Sequence, residues 1–283
     1  MKPKIYILGA SGFIGSHLTK LLQHTTPVIS VGRAMCDVKF DLSCDDPAII
    51  SQLLDPGDYL IFLASISSPE ICNNEAAYAR MVNVENTTNV ISAATQKGAN
   101  VIFASSDAVF GSSKRLFDDC DAPCPSSNYG EMKSAIEREF KANPLVKIVR
   151  LSYVIGPGDK FTNMLKANAM SKSCVDVFKG FERSIVSLCD VVQGIQILIN
   201  NWDGVPFSII NFSGPNKESR EYIAELFCEK VFPSLNYKVI EAPLGFWDSR
   251  TQIIYTSCKN FTSLLGRPPV DINHIVDNWD IKS

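Results

Sequence analysis

The chain has 283 residues, of which 46% are apolar and 20% are charged, so it can bury a large core and does not have the composition of a disordered or fibrous protein. Its net charge of -3 gives no electrostatic reason to expect nucleic acid or an anionic membrane as a partner, its apolar runs are too short to span a membrane, and its first residues carry no signal-peptide pattern. Nine scattered cysteines and only three histidines predict reduced thiols, a cytoplasmic protein and no metal site.

Short β-branched runs alternate with longer helical patterns along the first part of the chain. The runs predict strands at 4–9, 28–32, 59–65, 100–106, 146–154 and 207–214, and apolar residues spaced by three and four predict helices at 15–23, 46–54, 76–97 and 128–142. Each strand is continuously apolar, which is typical of a parallel sheet covered by helices on both faces. The sequence therefore predicts an α/β fold with a doubly wound parallel sheet of the Rossmann type.

After about residue 155 the alternation weakens, and only one more clear strand is visible. We expect residues 1–155 to form a dinucleotide-binding domain, to which 186–214 return. Residues 156–185 and 215–283 are expected to form a smaller C-terminal substrate-binding lobe packed against it.

A glycine-rich turn follows the first predicted strand and leads directly into the first predicted helix. Gly9 permits a tight turn, Gly12 lets the backbone approach a pyrophosphate, and Gly15 lets the helix pack close to the strand. The N–H groups of the helix N-terminus would then bind the phosphates. We therefore expect residues 9–15, including Ser11, Phe13 and Ile14, to bind a dinucleotide.

The end of the second predicted strand indicates which dinucleotide is bound. NAD sites usually place an acidic residue there to hold the ribose hydroxyls, whereas this strand ends with Gly32 and Arg33. An arginine at this place would pair with a 2′-phosphate and favours NADP. NAD remains an alternative, because Asp37 and Asp41 follow a few residues later.

A tyrosine and a lysine four residues apart lie in the helix predicted at 128–142. Tyr129 and Lys133 share one helical face, and a nearby ammonium would lower the pKa of the phenol. Ser106 and Asp107, at the carboxyl end of the fourth strand, lie where open parallel sheets bind ligands and would fix a carbonyl substrate. A second pair with the same spacing, Tyr255 with Lys259, has no such partner and is predicted to be structural.

These motifs together resemble the extended short-chain dehydrogenase/reductase family of nucleotide-sugar enzymes, from end to end of the chain. The resemblance rests on the glycine turn and on the segments SSDAVFG (105–111), YGEMK (129–133), RLSYVIGPGD (150–159) and FERSIVSLCDVV (181–192). Within the family the chain is most similar to the dTDP-4-dehydrorhamnose reductase branch. That branch has a tyrosine where this sequence has Ala108.

The resemblance implies a role for individual residues. Ser106 would bond the substrate oxygen, Tyr129 would donate the proton, and Lys133 would hold the nicotinamide ribose. The other implied cofactor contacts are Asp41, Leu42, Ala64, Ser65 and Asn83, and the implied substrate contacts are Asp107, Asn163, Arg183 and Arg250, with Arg183 on the diphosphate.

The leading hypothesis is a reductase that uses NADPH, or alternatively NADH, on a nucleotide-linked 4-keto-6-deoxy sugar. One alternative is a nucleotide-sugar epimerase with retained NAD, and another is a cofactor-binding regulatory subunit without catalysis. A dehydratase is disfavoured because Ala108 stands where that branch has a glutamate. The resemblance also implies a homodimer formed through the helices at 76–97 and 128–142.

Overall fold

The computed structural model describes residues 2–24, 26–248 and 250–280. Its strands are β1 (Ile5–Leu8), β2 (Val28–Gly32), β3 (Val38–Lys39), β4 (Tyr59–Phe62), β5 (Asn100–Ser106), β6 (Leu116–Phe117), β7 (Val146–Leu151), β8 (Val154–Ile155), β9 (Cys174–Phe178), β10 (Glu182–Arg183), β11 (Val186–Ser187), β12 (Ile209–Phe212), β13 (Glu218–Ser219), β14 (Asn236–Ile240) and β15 (Ile253–Thr256). Its α-helices are α1 (Phe13–Leu22), α2 (Ala48–Leu53), α3 (Pro69–Asn74), α4 (Ala76–Arg80), α5 (Thr87–Gln96), α6 (Asn128–Phe140), α7 (Lys160–Ser171), α8 (Leu188–Asn200), α9 (Arg220–Lys230), α10 (Lys259–Leu265) and α11 (Ile272–Asp277).

The main sheet has seven parallel strands in the order β12-β7-β5-β4-β1-β2-β3. The strand order reverses between β1 and β4, since the chain adds strands first on one side of β1 and then on the other. Ligands of open parallel sheets bind at the carboxyl ends of the strands beside such a reversal. The predicted Rossmann-type fold is confirmed, and its topology places the expected ligand site at this edge.

Both faces of the sheet are buried, which explains why the strands are continuously apolar. Ile5 and Ile7 of β1 point into one core cluster, where they meet residues of α1, α8 and α10. Tyr6 and Leu8 point into a second cluster with residues of α2, α5 and α6. Alternate residues of one strand thus contact helices on opposite sides.

The predicted strands and helices of the first part are all present, but the strand predicted at 146–154 is divided into β7 and β8, and two irregular segments were not predicted. The helix predicted at 76–97 is interrupted by a π-helical segment, Met81–Asn86, between α4 and α5. A 3₁₀ turn, Asp107–Val109, follows β5 directly. Both irregular segments adjoin the candidate site, where such departures from regular geometry are frequent.

The expectation of only one clear strand after residue 155 was wrong. Besides β12, this part of the chain contributes strands to three small sheets, in the orders β13-β10-β15-β6, β11-β8 and β14-β9. Several of these strands have two residues, which is too short to produce a readable alternation.

The later part of the chain also has a core cluster of its own, built from α7, β9, α9 and α11 around Phe161, Val177 and Phe227. β12 takes the sheet edge beside β7. The division of the chain into a domain and a lobe at residue 155 stays a prediction.

Candidate active site

The glycine-rich turn holds the N-terminus of α1 against the end of β1. Gly9 has a φ of +97°, a conformation that glycine adopts without strain. A Cβ on Gly15 would lie 2.3 Å from the Gly9 carbonyl oxygen, so only glycine permits this helix-to-turn contact. No side chain caps α1, and its first turn carries no acidic residue. Its N–H groups are therefore open to an anion from outside the helix.

Next to this turn lies a cavity of about 280 Å³. Its lining includes eight residues predicted to contact the cofactor, namely Gly9, Ser11, Gly12, Arg33, Asp41, Leu42, Ala64 and Ser65. Phe40, Ile66, Tyr78 and Val82 also line it and were not foreseen. Tyr78 and Val82 come from α4 and the π-helical segment, and no sequence motif marks them. The uncapped helix, the glycine turn and these lining residues fit a dinucleotide.

Asn83 supports this cavity and does not line it. Its side chain is buried; Nδ2 donates to the Ile66 carbonyl at 2.8 Å and Oδ1 accepts from the Ile66 N–H at 2.9 Å. Ser65 also donates to Oδ1, at 3.3 Å. Asn83 therefore fixes the loop after β4, on which Ser65 is placed.

The two acidic residues after β2 are held by serines. Asp37 accepts from the N–H and the hydroxyl of Ser30 at 2.8 and 2.7 Å, so its carboxylate is satisfied inside the protein. Asp41 accepts from the N–H and hydroxyl of Ser43, and these bonds lower its pKa. Arg33 is exposed at the end of β2 on the cavity wall. Asp37 and Asp41 thus accept hydrogen bonds from serines, whereas Arg33 is exposed on the cavity wall, where it can meet a ribose or its phosphate.

Ser106 and Asp107 end β5 at the carboxyl edge of the sheet. The Ser106 hydroxyl accepts from the Ala108 N–H and donates to Asp107 Oδ1, both at 3.2 Å. Ser105 points to the other face, where it donates to Glu137 Oε1 at 2.6 Å. Since Ser105 is buried and bonded, Ser106 is the hydroxyl of this pair that can meet a substrate.

The first turn of α6 carries Tyr129, and Lys133 follows one turn later. Ser127 caps the helix by accepting from the Gly130 N–H at 3.2 Å. Lys133 is buried; its Nζ donates to the Ala104 carbonyl at 2.8 Å and lies 5.7 Å from the centre of the Tyr129 ring. Tyr129 and Lys133 therefore flank the same end of β5 that carries Ser106.

The expected lowering of the Tyr129 pKa by Lys133 is not seen. Burial raises the pKa of Tyr129 to about 12, against a hydrogen bond with Ser65 that lowers it. Burial also lowers the pKa of Lys133 to about 7, so its charge is weakened near neutral pH. Tyr129 is thus a protonated phenol at neutral pH, which is the state that a proton donor requires.

Gly130 brings α6 close to the turn that follows Ser106. A Cβ at this position would lie 2.0 Å from the Ala108 carbonyl oxygen. We expect Gly130→Ala to push Tyr129 away from Ser106 and to lower kcat/KM by at least about tenfold, since small misplacements of reacting groups are costly. Steady-state kinetics and thermal unfolding of this variant, with Glu139→Ala on the exposed side of the same helix as control, test this. Kinetics equal to those of the control would contradict it.

Arg183 lies beside the carboxyl end of β5, and its guanidinium bonds groups of the protein. Nε lies 3.3 Å from Asp107 Oδ2, Nη1 donates to the carbonyls of Glu182 and Gln252, and Nη2 donates to that of Thr251. Asp107 is held in addition by Ser152 at 3.1 Å. Arg183 therefore fixes Asp107. Four of its five N–H donors are directed at groups of the described residues, so one Nη2 N–H, and no forked pair, is left for the predicted diphosphate contact.

The other two predicted substrate residues, Arg250 and Asn163, lie on other segments of the chain. Arg250 Nη2 lies 3.5 Å from Glu70 Oε1 of α3, and Asn163 is exposed in the first turn of α7. Tyr255 is buried in β15 and donates its hydroxyl to Glu182, in agreement with the structural role predicted for it.

The described ranges contain neither a candidate metal cluster nor a helix that could span a membrane. Among residues 2–24, 26–248 and 250–280, no three His, Cys, Asp or Glu side chains are grouped so that they could hold a metal ion. No helix within these same ranges has the length and apolar character needed to cross a membrane.

Comparisons with known proteins identify relatives. The model of the NAD dependent epimerase/dehydratase family matches residues 5–211. A dTDP-4-dehydrorhamnose reductase of Mycobacterium tuberculosis is 27% identical over 206 residues, which are 69% of this chain and 65% of the reductase. An N-acetyl-alpha-D-glucosaminyl-diphospho-ditrans,octacis-undecaprenol 4-epimerase of Escherichia coli O157:H7 is 25% identical over 273 residues, covering 87% of this chain and 77% of the epimerase.

Solved structures show the same fold. A dTDP-4-dehydrorhamnose reductase from Bacillus anthracis in complex with NADP superposes with a TM-score of 0.85 at 20% identity, over the full length of both chains. The family resemblance drawn from the motifs is confirmed. The chain thus belongs to the NAD dependent epimerase/dehydratase family of extended short-chain dehydrogenases/reductases.

Proposed function

We propose that the protein reduces the keto carbon of a nucleotide-linked 4-keto-6-deoxy sugar, with NADPH as the reductant. The observation that carries the proposal is the arrangement at the carboxyl end of β5. There the Ser106 hydroxyl and the protonated Tyr129 flank one strand end, near the cavity beside the glycine turn. A carbonyl placed at this edge would meet a hydrogen-bond donor and a proton donor together.

The chemistry divides between cofactor and protein. The bound dinucleotide would supply the hydride. Ser106 would turn its hydroxyl hydrogen from Asp107 Oδ1 to the carbonyl oxygen. Tyr129 would transfer its proton to that oxygen as negative charge develops there, so that the ketone becomes a secondary alcohol. Ser65, whose hydrogen bond lowers the Tyr129 pKa, would stabilise the phenolate that remains.

The neighbours of Ser106 argue against a dehydratase. Water elimination needs a further acid or base near the sugar, and Ala108 stands where that acid would be. Asp107 cannot replace it freely, because Arg183 and Ser152 hold its carboxylate.

A nucleotide-sugar epimerase with retained NAD is the second candidate, supported by the match to the E. coli epimerase over most of the chain. The two reactions differ in cofactor use, because a reductase consumes one NADPH per sugar and an epimerase consumes none. Following NADPH absorbance with dTDP- and UDP-linked 4-keto-6-deoxy sugars, and the configuration at C4 of the corresponding 4-hydroxy sugars without added cofactor, separates them. Steady loss of NADPH with the keto sugars supports the proposal, and inversion of the 4-hydroxy sugars without such loss would replace it with the epimerase. Assembly as a homodimer stays a prediction.

Arg33 is expected to set the preference for NADPH over NADH. We expect Arg33→Ala to raise the KM for NADPH about tenfold or more and to change the KM for NADH little, because a charge-assisted bond to the 2′-phosphate is lost. Initial rates with both cofactors test this, with Lys20→Ala on the exposed side of α1 as control. An equal change for both cofactors would show that Arg33 does not read the 2′-phosphate.

A further inference from the structure

Three arginines lie near one another: Arg183 and Arg220 contact the same Phe181 ring, and Arg250 is within electrostatic range of Arg220. Arg183 is paired with Asp107, and Arg250 contacts Glu70 of α3. Arg220 is the first residue of α9. Burial lowers the pKa of Arg183 and of Arg220, and like-charge repulsion lowers both further, from Arg220 on Arg183 and from Arg250 on Arg220. Two of the three arginines thus have a bonded acid.

Arg220 is the member of this cluster that is left without a bonded acid. Its Nε is buried and has no hydrogen-bond partner within residues 2–24, 26–248 and 250–280, and no ion pair joins Arg220 to an acid of those residues. Asp159 and Glu221 act on it only at longer range. The Asp159 carboxylate is occupied by the Tyr153 hydroxyl at 2.8 Å and the Thr162 N–H at 2.9 Å.

Aromatic rings hold the Arg220 guanidinium in place. Its Cζ lies 4.1 Å from the centre of the Phe181 ring and 5.1 Å from that of Phe161. Arg183 contacts the same Phe181 ring at 4.3 Å. Stacking of this kind fixes the guanidinium plane while the N–H donors at its edge stay available.

A guanidinium that is desolvated, rigid and unpaired has unfavourable energy unless an anion completes the site. We propose that Arg220, rather than Arg183, binds the diphosphate of the substrate. This inference rests on the proposed nucleotide-sugar function. Arg220 would supply a forked pair of donors, which suits phosphate oxygens, and Arg250 would add charge from the side of α3.

Calorimetric titration with UDP, dTDP and the corresponding monophosphates tests the proposal. NADP is kept at saturation so that the nucleotides cannot bind in the cofactor cavity. We expect Arg220→Met to raise the Kd of the diphosphates about ten- to a hundredfold and that of the monophosphates much less. Arg220→Lys is expected to recover only part of the affinity, because lysine keeps the charge without the fork.

Arg138→Met removes the same charge from the exposed side of α6 and serves as the matched control. Thermal unfolding of all variants checks that they are folded. Diphosphate affinity unchanged in Arg220→Met, or an equal loss for mono- and diphosphates, would overturn the assignment. Failure of the unaltered protein to bind any of these nucleotides would instead overturn the nucleotide-sugar function itself, and this inference with it.

Discussion

Replacing Tyr129 with phenylalanine is expected to lower kcat about a thousandfold while the protein remains folded. The variant loses only the hydroxyl, and with it the proton that the proposed mechanism transfers to the substrate oxygen. Positioned general acids typically contribute factors of about 10² to 10⁴ to the rate. The ring and its contacts in the small cluster with Cys72 and Met132 are kept. The measurement is kcat for NADPH oxidation, together with the midpoint of thermal unfolding.

Tyr255→Phe is the matched control for this variant. It makes the same change at the second tyrosine that precedes a lysine by four residues, and there the hydroxyl bonds Glu182 in the small sheet of β10 and β15. We expect Tyr255→Phe to cost some stability and little activity. If the two variants lost activity equally, or if Tyr129→Phe kept full turnover, Tyr129 would not be the proton donor.

Replacing Arg150 with methionine is expected to lower the free energy of unfolding by about 3 to 5 kcal/mol, because it leaves the buried Glu137 carboxylate unpaired. The side chains of both residues are 1% exposed, and Arg150 Nη2 lies 2.7 Å from Glu137 Oε2. Arg150 also donates to the Asp119 carbonyl at 3.1 Å. Urea unfolding measures the effect.

Two further variants make this prediction specific. Arg150→Met combined with Glu137→Leu removes both charges and should recover much of the lost stability. Arg115→Met breaks the pair with Asp121, in which the arginine side chain is 61% exposed, and should cost less than about 1 kcal/mol. A cost for Arg150→Met as small as that for Arg115→Met would contradict the account of the buried pair.

The sequence contained most of the information for the main sheet. The apolar runs of β1, β4 and β5 are buried on both faces, so their composition alone identified them. The glycine turn was also readable, because Gly9 and Gly15 occupy positions where backbone conformation or contact excludes other residues.

Tertiary contacts decided what could not be predicted. Motif position placed Arg183 beside the substrate, yet four of its five N–H donors are directed at Asp107 and at the carbonyls of residues 182, 251 and 252, and the last two are distant in sequence. Arg220 carries no motif, and only the folded chain shows that its buried Nε has no hydrogen-bond partner among the described residues. Similarly, spacing suggested that Lys133 lowers the Tyr129 pKa, whereas burial of both groups governs their pKa values.

The most direct test of the central claim follows the hydride itself. NADPH carrying deuterium at the transferable position of the nicotinamide is incubated with the protein and a 4-keto-6-deoxy nucleotide sugar, and the sugar product is analysed by mass spectrometry. A reductase whose proton comes from Tyr129 gives an alcohol that carries the deuterium on the former keto carbon, with formation strongly reduced in Tyr129→Phe. Labelled NADPH that stays intact with the keto sugar, while the corresponding 4-hydroxy sugar is inverted at C4 without added cofactor, would contradict the reductase and support an epimerase.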